Sequence, residues 1–104
     1  MIHVLNRHKD RAGSGAIYVG RGTPFGNPFK PGTRGTPNRA VAVAQFKLHL
    51  ERIMSHGPDD DGLKVAMVDL LARYRDGEEL QLVCSCKPLT CHADVIAEWI
   101  EEHA

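Results

Sequence analysis

Aromatic residues make up only 6% of this 104-residue chain, so a core has to rest on Val, Leu, Ile and Ala. No run approaches the roughly 20 apolar residues of a membrane span, and no membrane partner is expected. The segment Met1-Ile2-His3-Val4-Leu5 lacks the basic and apolar regions of a secretory signal, so a cytoplasmic location is the expectation. Excess charge of either sign is missing too, since 13 basic and 13 acidic residues cancel. A sequence pI near 7.0 does not favour nucleic acid spread over the surface. Cysteine is limited to three residues, too few for a disulfide framework, and a structural disulfide is not expected in the cytosol.

What remains is ordinary globular material, 42% hydrophobic and 25% charged, at the length of a single domain over residues 1–104. The charge is unevenly placed. Residues 1–39 hold seven basic side chains against Asp10 alone, and the remaining 65 hold six bases and twelve acids. Two readings of that asymmetry stay open: an anion site in the front half, or the two halves pairing across the fold.

Residues 1–5 and the run Ala16-Ile17-Tyr18-Val19 read as strands. Residues 20–36 carry five glycines and three prolines, which excludes a regular helix or a central strand. Thr36-Pro37 reads as a helix start, with Thr36 as the cap, and Val43, Phe46, Leu50, Ile53 and Met54 recur at helical spacing up to residue 55. The run Asp59-Asp60-Asp61 lacks the spaced carboxylates of a calcium loop and is expected to cap the next helix. That helix carries Leu63, Met67, Leu70, Leu71 and Tyr74 and stops at Asp76-Gly77. Residues 79–84 read as a third strand, and a last helix from about Cys91 aligns Val95, Ile96, Trp99 and Ile100. The expected fold is α/β, in the order β-β-α-α-β-α: a small three-stranded mixed sheet packed by about three helices.

Two stretches carry chemistry. In Cys84-Ser85-Cys86-Lys87-Pro88-Leu89-Thr90-Cys91-His92 all three cysteines fall within eight positions. Cys84, Cys86, Cys91 and His92 form a candidate zinc set of three thiolates and one imidazole, although the spacing differs from common zinc modules. The same residues allow a catalytic site. Cys91 opens a helix, whose N-terminus favours a thiolate, and is expected to be the accessible thiol; His92 and Asp94 follow as acid, base or orienting groups. Packing is the third reading, since free cysteine is commonly buried.

The second stretch runs Gly20-Arg21-Gly22-Thr23-Pro24-Phe25-Gly26-Asn27-Pro28-Phe29, directly after a strand. Gly22 and Gly26 would let backbone N–H groups approach an anion, Arg21 offers a planar fork, and Asn27 suits a base edge or ribose. The pattern is not a P-loop. Its bland alternative is a Pro-rich lid with Phe25 and Phe29 anchored in the core.

Taken together, Val4-Leu5-Asn6-Arg7, Gly20-Arg21…Gly26-Asn27-Pro28-Phe29 and Cys84-Ser85-Cys86-Lys87-Pro88…Cys91-His92-Ala93-Asp94 carry a likeness over nearly the whole chain. It resembles a small uncharacterised domain family of bacteria and bacteriophages with G-R…G-N-P-F and C-x-C-x-P…C-H-x-D motifs. Ser85 departs from that family's larger, often aromatic residue. The resemblance implies a one-domain protein, with phage origin as one expectation, and brings no activity with it.

Two functions remain in view. The first is binding of a small anionic ligand, a nucleotide or nucleoside derivative, which the Cys/His/Asp group would process. The second is a zinc-stabilised interaction module of phage or mobile-element origin that engages a host protein.

Overall fold

The computed structural model describes residues 2–6, 13, 15–20, 22–56, 62–84 and 91–104. Six elements follow in order: β1 (Ile2–Asn6), β2 (Ile17–Tyr18), α1 (Arg39–His56), α2 (Leu63–Arg75), β3 (Leu80–Cys84) and α3 (His92–His103). The β-β-α-α-β-α order and the three-helix, three-strand α/β architecture match the expectation. Strand direction is more uniform than expected. The sheet order is β1-β3-β2, and β3 runs parallel to both neighbours rather than in a mixed arrangement.

The sheet has β3 at its centre because β3 is the strand apolar enough to be enclosed. Leu80, Leu82 and Cys84 alternate onto one face and are all buried. Between them Gln81 accepts the Gly13 N–H through Oε1 at 2.8 Å. Val19, also buried, carries the β2 ladder one step further by donating its N–H to Val83 O at 3.0 Å.

α1 begins later than Thr36-Pro37 suggests. The cap is Asn38, whose Oδ1 accepts the Val41 N–H at 3.0 Å and satisfies an orphan donor of the first turn. Thr36 is held elsewhere: it bridges Thr33, its carbonyl accepts the Gly32 N–H at 2.8 Å, and its hydroxyl donates to Gln45 Oε1 at 2.7 Å. α1 buries Ala42, Phe46, Leu50 and Ile53 along one stripe.

Gly62 stands at the N-cap of α2 and offers no side chain, while Asp59, Asp60 and Asp61 lie outside the described residues. The helix ends in a Schellman turn. Glu78 N–H reaches Arg73 O and Gly77 N–H reaches Tyr74 O, both at 3.1 Å, with Gly77 at φ +91°. α3 packs against β1, β3, α1 and α2 at once, which explains why it buries Val95, Ile96 and Ile100 together with Ala93 and Ala97. Burying Ile96 and Ile100 contributes about 1.5–3 kcal/mol each. No helix among the described residues is long and apolar enough to cross a membrane.

Candidate functional site

Tyr18 ends β2, Cys84 ends β3 and His92 begins α3, so the carboxyl ends of two parallel strands meet the start of a helix. Such a crevice is where ligands bind in open α/β sheets. Here it holds a cavity of about 300 Å³, lined by Tyr18, Gly20, Asn27, Phe29, Pro31, Arg39, Ala42, Val43, Cys84, Cys91 and His92. Both chemical stretches of the sequence therefore contribute to one site.

On the cysteine side, Cys84 and Cys91 bring their Sγ atoms to 3.3 Å. Both are buried, at 1% and 2% exposure. Cys91 is thus not the accessible thiol that its place at a helix start suggested. His92 stands next to it. Its Nε2 lies 2.6 Å from Val19 O, and a carbonyl can only accept, so Nε2 carries the proton. Burial pushes the His92 pKa below its ordinary value, opposed by the Val19 hydrogen bond and by the charge of Asp94. The neutral ring therefore keeps Nδ1 as its acceptor. Phe46 fixes the ring edge-on, with centroids 5.2 Å apart.

Asp94 stands in the first turn of α3, as its sequence position suggested. Its Oδ2 accepts the Cys91 N–H at 3.0 Å, while its own N–H donates to Cys91 O at 3.0 Å. It shapes the first turn of α3 and lines a separate acidic groove with Glu98, Glu101 and Glu102. It acts on His92 through charge. Cys86 of the expected zinc set lies outside the described residues. Among the described residues, no three His, Cys, Asp or Glu side chains come together as a metal site.

On the loop side, Asn27 lines the cavity, but its amide is tied to the protein. Nδ2 donates to Ala42 O at 3.1 Å and Oδ1 accepts the Phe29 N–H at 2.9 Å, which pins the loop to α1. Gly26 N–H is occupied by Thr23 O at 3.0 Å. Gly22 and Gly26 line a separate depression with Pro24, Pro28 and His49 rather than this cavity. Arg21 lies outside the described residues. Phe25 is buried in the core, as the lid reading had it, whereas Phe29 is half-buried and faces the cavity.

Asn27→Ala is accordingly expected to cost about 1–2 kcal/mol of stability, from two partly buried hydrogen bonds. Urea melts measure it, and an unchanged midpoint would mean that the loop holds without this pin.

Two lining residues escaped the sequence. Arg39, exposed in the first turn of α1, brings a cation to the cavity and looks like any surface helix residue. Tyr18 looks like an ordinary strand residue. Its signal is Gly20, where a Cβ would collide with the Tyr18 hydroxyl. Glycine there makes room for the ring.

The sequence model of a family described as Domain of unknown function (DUF4326) matches residues 2–102. No curated protein and no solved structure gives a significant match.

Proposed function

Since the chain belongs to the DUF4326 family of domains of unknown function, its role has to be read from its own cavity. We propose that the protein binds a small anionic ligand there, a nucleotide or nucleoside derivative. One observation carries this reading: Tyr18, Phe29, Arg39, Cys91 and His92 gather around one cavity of about 300 Å³ at the strand ends. That size is at the lower end of small-ligand pockets, so a single ring system with one charged group suits it better than a dinucleotide. Tyr18 and Phe29 supply aromatic surface for a base. Arg39 supplies a fork for phosphate, and Lys30 and Arg34 stand exposed on the loop that precedes it. This favours the anion-site reading of the basic front half.

His92 supplies chemistry. A neutral imidazole with Nε2 committed to Val19 leaves Nδ1 to accept a proton or hydrogen bond from the ligand. Any processing of the ligand falls to this group, with Cys91 beside it.

Titration of the ¹⁵N-labelled protein with adenosine, AMP and inorganic phosphate tests the proposal. AMP is expected to perturb the amides of residues 18–20, 29, 39–43, 91 and 92. Arg39→Ala should weaken AMP about tenfold, within the range for a charge-assisted contact. Perturbations confined to other surfaces, or none with any of the three compounds, would refute the reading.

The zinc-stabilised interaction module has one feature in its favour, the meeting of Cys84 and Cys91. The aromatic and basic lining of the cavity, with Tyr18, Phe29 and Arg39, favours ligand binding over it.

A further inference from the structure

We propose that Cys84 and Cys91 are a redox-closable pair, which a small peroxide converts into a disulfide in the wall of the cavity. The disulfide then weakens ligand binding, a consequence that rests on the function proposed above. The two Sγ atoms stand 3.3 Å apart, and a disulfide bond is about 2.05 Å long, so closure asks for roughly 1.3 Å of approach. The pair joins the last residue of β3 to the residue before α3, so side-chain rotation and a small shift of the first turn of α3 share that movement.

Access separates this pair from two buried packing residues. Both cysteines are almost fully covered, yet both line the cavity, which opens a path to an oxidant of hydrogen peroxide size. The chemistry balances with peroxide as the oxidant. One thiolate sulfur attacks a peroxide oxygen, an S–O bond forms, the O–O bond breaks, and hydroxide leaves, to be protonated to water. The second thiol then attacks the sulfenic sulfur, an S–S bond forms, the S–O bond breaks, and another water leaves. Two thiols and one peroxide thus become one disulfide and two waters. A dithiol reductant reverses the change by exchange.

The link to the ligand runs through the next residue. His92 holds Val19 O at 2.6 Å and rests edge-on against Phe46 in the reduced protein. Drawing Cys91 toward Cys84 shifts the first turn of α3 and with it the His92 ring.

The test treats the metal-analysed, reduced full chain with hydrogen peroxide and maps disulfides by peptide mass spectrometry. Expected is the loss of two hydrogens per chain with a Cys84–Cys91 cross-link, reversed by dithiothreitol. Cys86→Ala should retain the closure, and Cys84→Ala and Cys91→Ala should lose it. The wild-type map decides even where a variant fails to fold. A cross-link that uses Cys86 instead, thiols that pass directly to sulfinic acid, or about one zinc per chain that shields the pair would overturn the proposal. AMP affinity is then measured on both redox forms, and the His92 ring resonances are followed in parallel. The oxidised form should bind AMP about fivefold or more weakly, with shifted His92 resonances. Equal affinity and an unmoved ring would overturn the regulatory part. AMP that binds neither form would refute the ligand reading, while the disulfide map still decides the pair.

Discussion

Phe46→Ala is expected to lower the free energy of unfolding by about 3–5 kcal/mol, the usual cost of removing a buried aromatic ring. Phe46 is 0% exposed at the middle of the buried stripe of α1 and belongs to the core shared with α3 and the sheet. A domain of this size has about 5–15 kcal/mol in total, so the variant stands near the edge of folding. The effect reaches the site as well. The ring that holds His92 edge-on at 5.2 Å is gone, and the imidazole gains room to turn. Urea denaturation should show a much lower midpoint with an unchanged slope. A loss below about 1 kcal/mol would mean that α1 does not depend on this contact, contrary to core burial of this kind.

The helices were legible because each has a single apolar stripe. Phe46, Leu50 and Ile53 on α1, Met67 and Leu70 on α2, and Ile96 and Ile100 on α3 all recur at helical spacing and all are buried. Strand direction was not legible in the same way. β2 has two residues, and its partner β3 lies some sixty positions away with two helices between them. Periodicity reports which face a residue takes, not which way its neighbour runs. The helix cap failed for another reason. Thr36 and Asn38 both carry cap chemistry, and only the tertiary bond from Thr36 to Gln45 decides that Thr36 serves elsewhere.

The site divides along the same line. Three thiols within eight positions mark the cysteine side in any reading, and Cys84 and Cys91 do meet. Their burial could not be read, because it depends on which tertiary neighbours enclose the end of β3 and the start of α3. Asn27 stood out by residue type, yet its amide holds Ala42 and Phe29. A side chain with both donors and acceptors serves a loop as readily as a ligand. Arg39 had no local signature at all. Only the tertiary arrangement that sets the start of α1 beside the ends of β2 and β3 brings it to the cavity.

His92→Ala is expected to cost about 1–3 kcal/mol at neutral pH, because Val19 O then loses its donor inside the protein. The size of that loss should depend on pH in a definite direction. Burial holds the folded His92 pKa below its ordinary value of 6.5, so the unfolded chain takes up a proton first as the solution is acidified. Wild-type stability therefore carries a contribution that is complete above about pH 6.5 and is lost as pH falls toward the depressed folded value. The variant has no such group. The gap in unfolding free energy between wild type and His92→Ala should narrow from pH 7 toward pH 5, and comparing the two cancels the titration of every group they share. Urea melts at matched ionic strength measure it. A gap that stays constant would show that folded His92 titrates as freely as in the unfolded chain. The neutral ring, with Nε2 on Val19 and Nδ1 open to a ligand, would then no longer describe the site near pH 6.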